Sequence, residues 1–312
     1  VELKQQAARA TEPTAPTSTA AEGAEIFIVF SMFLLAFKLS KQEYRYGSLI
    51  WDQAKKLFVP YLAWSVFFAF FRLIKASTFG YEGAILKELT TWKAWVGYVF
   101  LGSAQYHLHF IPTLFGVLLM YPFFKSAIRF PAIGIAIIAG LFVLNTGEGW
   151  LWGHVKDPVL REYLVRIVRI CAYSGYGASA FALFGVWKRG LSREDSKLFL
   201  GGSVLLLGLE TIGSFPYLAD LALTGHWVVR SGAAFYGHLL TPVLVFAVCM
   251  GAQYFAWSTR YAALAKYTFG VYLVHPIFVD AFDILVHQVG WQPWPIVAIL
   301  GKFLVAAPLA FG

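Results

Sequence analysis

From residue 24 onward, apolar residues come in long runs separated by shorter stretches that hold most of the charge. The runs fall near 24–37, 57–74, 107–124, 130–145, 162–187, 197–213, 232–257, 267–289 and 294–311. A helix takes about 20 residues to cross a ~30 Å hydrocarbon core, and all the runs reach or approach that length except the short first and fourth. They do not alternate apolar with polar in ten-residue beats, which argues against a barrel. In lipid a helix satisfies its own backbone. The pattern predicts an all-α integral membrane protein, a polytopic bundle of about nine transmembrane helices. Residues 1–23, VELKQQAARATEPTAPTSTAAEG, break the pattern. Rich in Ala, Thr and Pro and lacking the apolar stretch of a signal peptide, they read as a disordered tail ahead of one membrane domain over 24–312.

Composition sharpens this reading. Of the 312 residues 59% are hydrophobic and only 13% charged, against about a quarter charged in soluble domains. Cys171 and Cys249 both sit inside apolar runs, which predicts buried, reduced thiols and no cysteine-based zinc site. The net charge of +8 becomes informative once it is located. Lys38, Lys41, Arg45, Lys55, Lys56, Lys125, Arg129, Lys188, Arg189, Arg193, Lys197, Arg260 and Lys266 crowd one set of alternate, short connections. Arg72, Lys75, Lys87, Lys93, Lys156, Arg161 and Arg230 are spread over the longer connections of the other set. The positive-inside tendency makes the first set cytoplasmic, with the N-terminal tail outside and the C-terminus inside. The charge then needs no nucleic-acid partner. Trp92, Trp95, Trp150, Trp152, Trp227 and Trp291 fall at the outer boundary, where indole rings anchor.

Ionisable residues at membrane depth are candidates for function. Arg166 and Arg169 lie three apart on one face of the fifth run, and Glu210 lies near the outer end of the sixth. His238 lies in the outer third of the seventh run, and Asp280 and Asp283 in the outer half of the eighth. His107 and His109 open the third run, in YHLHFIP. His275, in GVYLVHPIFVD, is placed deeper, on the inner side of centre. Each also has a structural reading: an ion pair for Arg166, Arg169 and Glu210, and backbone hydrogen bonds for His238 and for His275 beside Pro276. Asp280 and Asp283 read as facing an outer vestibule. The HLH spacing argues against a metal, because residues two apart on a helix point to different faces and no HExxH or carboxylate partner is near.

Four stretches carry a family resemblance. IFIVFSMFLLAF (26–37), KKLFVPYLAW (55–64), YHLHFIPTLFGVLLMYPFF (106–124) and YTFGVYLVHPIFVD (267–280) occur in this order. Together they resemble the membrane acyltransferase-3 superfamily, whose members acylate cell-surface carbohydrates. Met32 follows Ser31 where the family pattern has glycine. The resemblance implies ten helices, in the inner (plasma) membrane, with acyl-CoA as the cytoplasmic donor and a carbohydrate acceptor on the far side. It also implies a first helix bearing an Arg and a His. No apolar run precedes residue 24, so the expectation is either a chain truncated or rearranged at its start or one that lacks the usual catalytic histidine, and in the second case His107 is the substitute base.

The expected activity is transfer of an acyl group, acetyl first, to a sugar hydroxyl. A hydroxyl needs a base such as histidine, and the thioester oxygen needs hydrogen-bond donors. His107, Arg166, Arg169, Glu210, His238 and His275 are the candidates for this polar interior. Lys41, Arg45, Lys55 and Lys56 are candidates for the coenzyme A phosphates, although topology alone also places basic residues there. Two rival readings are a transporter for polysaccharide or lipid-linked sugar and an inactive member of the family.

Overall fold

The computed structural model describes residues 24–225, 232–255 and 267–311. The tail reading of 1–23 and the placements of Trp227, Arg230, Arg260 and Lys266 lie outside the described residues. The order is α1 (Ala24–Lys41), α2 (Tyr46–Phe79), α3 (Glu82–Leu89), α4 (Trp92–Phe100), α5 (Phe110–Leu119) and α6 (Tyr121–Arg129). A 3-10 turn (Pro131–Ile135) then leads into α7 (Ala136–His154), α8 (Pro158–Arg189), α9 (Arg193–Thr224), α10 (Gly232–Gly251), α11 (Thr268–Val289) and α12 (Pro295–Phe311). Among the described residues six helical segments, α2, α7 with its 3-10 turn, and α8 to α11, are long and apolar enough to cross a membrane. The bent pair of α5 and α6 makes a seventh. The shorter α1 and α12 account for the remaining two apolar runs. The chain is an all-α multi-pass membrane protein.

Local chemistry sets the boundaries. Asp157 caps α8 by accepting from Leu160 N at 2.9 Å, with Pro158 in the first turn. Ser192 caps α9 by accepting from Asp195 N at 3.0 Å. The third apolar run does not form one straight span. It breaks at Met120 and turns by 64°, because Pro122 has no N–H to continue the ladder and crowds the backbone before it. The fourth run continues well past residue 145. α7 stays helical to His154.

The centre of the bundle is α8, which packs against α1, α6 and α7. Tyr176, Phe181 and Phe184 are fully buried there. A Cβ at Gly175 would stand 2.6 Å from Ile137 Cα, so the small residue is what lets α7 lie close. The cysteines correct the sequence reading: both are free, and both are exposed on the outside of the bundle. Apolar neighbours in sequence marked helices whose outer faces are also apolar, and did not mark depth in the core.

Candidate active site

Between α4 and α5 the chain turns back into the bundle instead of crossing over its end. Gly102 makes this fold possible. Its φ is +70°, and a Cβ there would stand 2.5 Å from His109 N and Cα, so only glycine fits. Near the middle of α2, Tyr61 Oη lies 2.5 Å from Tyr98 O and 2.9 Å from Val99 O, holding the approach. Arg166 on α8 ties the two ends of segment 101–109 together. Its Nη2 donates to Leu101 O at 2.5 Å, and its Nη1 to His109 O at 2.8 Å and Thr113 Oγ1 at 2.6 Å.

His107 is thereby carried inside and left only 3% exposed. Its ring centroid lies 5.2 Å from that of Phe68 and 5.3 Å from those of Tyr272 and His275. Among the described residues neither ring nitrogen makes a full hydrogen bond. Burial pushes this imidazole down to about 3, with His275 and His109 adding to the effect. The ring is therefore neutral at ordinary pH. The Tyr272 hydroxyl donates to the His107 carbonyl. His275 Nδ1 lies 2.7 Å from Tyr272 O and must donate to it. That leaves Nε2 as the acceptor for the Tyr106 hydroxyl at 3.3 Å. His275 thus lies beside His107 and Tyr106. It is not apart from the other histidines, because the inward fold of 101–109 brings His107 down to the second turn of α11.

The remaining candidates do not converge on His107 as one constellation. Arg166 holds backbone, as above. Arg169 pairs with Glu148 of α7, Nε to Oε1 at 2.5 Å, and not with Glu210. Glu210 accepts from Ser214 Oγ at 2.6 Å and lies 3.7 Å from His238 Nδ1 across α9 and α10. Asp280 and Asp283 share one lysine. Both bind Lys75 Nζ, at 2.6 Å and 3.0 Å. His109 Nδ1 contacts Tyr106 O within its own turn, and burial, with Arg166 close by, pushes its imidazole down to about 3. Among the described residues no three His, Cys, Asp or Glu side chains are grouped to hold a metal ion.

Sequence reasoning missed three members of this interior. Glu25, only 2% exposed, accepts from the Tyr173 hydroxyl at 2.7 Å. Glu148 neutralises Arg169. Gln105 Nε2 donates to Asp280 Oδ2 at 3.0 Å. Glu25 left a signal, a lone carboxylate at the head of the apolar run AEIFIVF.

At the opposite end of the bundle, Lys41, Arg45, Lys55 and Lys56 are exposed where α1 ends and α2 begins. Lys55 makes a surface pair with Asp52, at 3.3 Å. Beside them a crevice of about 260 Å³ opens between α1, α2 and α5. Leu34, Leu35, Leu57, Leu114 and Leu118 form its walls, with Ser31, Lys38 and Gln53 as its polar atoms. One helical turn above Ser31, Phe27 packs on Tyr272 and Phe110, at 5.3 Å and 5.9 Å between centroids. The wall of the crevice thus continues to the shell around His107.

No curated protein and no solved structure matches the chain. The family model for the acyltransferase domain matches residues 12–312, beginning inside the stretch read as a tail. With nearly the whole length covered, the chain belongs to the acyltransferase-3 family of membrane proteins.

Proposed function

We propose that this protein transfers an acyl group, acetyl in the first instance, from acyl-CoA to a hydroxyl of a cell-surface carbohydrate. The observation that carries this reading is His107: buried, neutral, and among the described residues without a full hydrogen bond to either ring nitrogen. A polar group held at that cost is ordinarily satisfied by something, and a substrate hydroxyl fits. The reaction is one of proton bookkeeping. The hydroxyl gives its proton to an imidazole nitrogen of His107 as its oxygen bonds to the thioester carbonyl carbon. Collapse of the tetrahedral adduct breaks the C–S bond, and the departing thiolate takes that proton back. The products are an ester and free coenzyme A.

The crowding of basic residues at one end supports a cytoplasmic donor side, a plasma-membrane location, and an N-terminal end on the far side. Lys41, Arg45, Lys55 and Lys56 are suited to the donor's phosphates. The crevice past Lys38 and Ser31 offers its thioester arm a route: Lys38 to Phe27 is eleven residues of helix, roughly 16 Å at 1.5 Å per residue. Tyr106, exposed on the His107 side, is suited to a sugar face.

The test is acetylation of surface glycan in cells lacking the protein and complemented with wild type, His107→Ala or Lys55→Ala/Lys56→Ala. Loss of acetylation with His107→Ala, and a raised donor KM with the lysine pair, are expected. Unchanged acetylation in the deletion strain would overturn the reading. Normally acetylated glycan retained inside the cell would favour transport.

A further inference from the structure

The outer half of the bundle holds an ion-paired lattice with no part in the proton transfer above. Asp280 of α11, 6% exposed, is its centre. Its Oδ1 takes Lys75 Nζ of α2 at 2.6 Å, and its Oδ2 takes Gln105 Nε2 of the inward segment at 3.0 Å. Lys75 reaches on to Asp283 at 3.0 Å, and Asp283 takes Lys302 of α12 at 2.8 Å. Two lysines therefore face two carboxylates, and the group is electrically balanced. The Gln105 side chain is committed at both ends, because its Oε1 accepts from Tyr106 N at 3.2 Å. Tyr106 in turn reaches His275.

We propose that Asp280, Lys75 and Gln105 are positioning residues that hold segment 101–109 in register with α11, and so keep His107 closed against His275. Segment and helix are stitched at three places, Tyr272 to the His107 carbonyl, His275 to Tyr106, and Asp280 to Gln105. The first two are single contacts to a hydroxyl. Only the third is charge-assisted, and a charged acceptor makes the stronger bond. On α2, Phe68 and Lys75 lie seven apart on one face, so the helix that supplies the wall of the His107 pocket also supplies the cation that fixes Asp280. Removing the Asp280 charge leaves Gln105 an acceptor that is no longer anionic and Lys75 with Asp283 alone. The segment then opens around His107.

This inference rests on the acyl-transfer reading for its purpose, although its test does not. Diethyl pyrocarbonate adds to neutral, accessible imidazole, and peptide mass spectrometry reads each histidine separately. The purified protein in nanodiscs is treated with the reagent, and the rate at His107 is compared between variants. Asp280→Asn and Lys75→Met are expected to raise that rate about tenfold, the population change that follows loss of one charge-assisted hydrogen bond. Lys75→Arg is expected to restore the slow rate. Asp283→Asn, which leaves the bond to Gln105 in place, is expected to keep His107 slow while the exposed His154 reacts equally in every variant. An unchanged His107 rate in Asp280→Asn eluting as a single species would overturn the proposal. So would an equal rise in all variants, including Lys75→Arg. An opened His107 with full glycan acetylation would leave the lattice standing and count against His107 as the base.

Discussion

Replacing Arg166 with methionine removes the strap on segment 101–109. Three acceptors lose a charged donor at once: Leu101 O, His109 O and Thr113 Oγ1. Polar contacts inside membrane bundles average near 0.6 kcal/mol and reach about 1.7, so three of them amount to roughly 2–5 kcal/mol. The effect on catalysis follows from geometry. His107 lies between the two tied ends, and a displacement of ~1 Å in a reacting group lowers rate by about a hundredfold. Arg166→Lys is expected to fall between wild type and methionine, because one ammonium cannot span Leu101 O and His109 O as the guanidinium fork does. Thr113→Val, which deletes one acceptor, is expected to cost ~1 kcal/mol or less. Thermal unfolding followed by size exclusion gives the stability order, and acetyl transfer in membrane vesicles gives the rate. A methionine variant with the wild-type melting temperature and rate would refute the strap.

Three further outcomes are expected. Gly102→Ala meets the His109 backbone and forces a positive φ on an L side chain; it should lower both yield and activity, measured as membrane-inserted protein and acetyl transfer. Glu148→Gln strands Arg169 in the interior and should destabilise by ~3 kcal/mol or more. The double change Arg169→Met/Glu148→Met should cost less than either single change, as read from a double-mutant cycle of melting temperatures. Because burial pushes the His107 imidazole down to about 3, protonation of this ring should put no acid limb in the rate profile between pH 5 and 8. The same depression makes the native state lose stability as pH falls below the ordinary histidine value of about 6.5, where the unfolded ring takes up protons first. Melting curves should show that slope, and His107→Phe should lessen it, with His109, likewise pushed down, keeping a share.

The helices were legible because an apolar run long enough to cross lipid has few other folds open to it. Their limits were less so. The run over 107–124 read as one span, yet the chain turns there by 64°, and the run read as ending at residue 145 stays helical to His154. His107 was legible from its place at the head of an apolar run. Its depth was not, since that depends on a left-handed Gly102 and on carbonyls reached by an arginine 57 and 65 residues away. Arg169, Asp280 and Asp283 could be seen as charges, but their partners Glu148 and Lys75 lie 21 to 208 residues off, and no spacing rule connects them. Sequence places a charge in a leaflet, and packing decides what it meets.

The most direct test of the central claim is transfer of labelled acetyl from acetyl-CoA to glycan in inverted membrane vesicles, comparing wild type with His107→Ala at equal membrane abundance. A positioned general base contributes about 10²–10⁴ in rate. The account therefore predicts that the alanine variant loses transfer by at least about a hundredfold while remaining in the membrane and monodisperse. Transfer at the wild-type rate by that variant would contradict it.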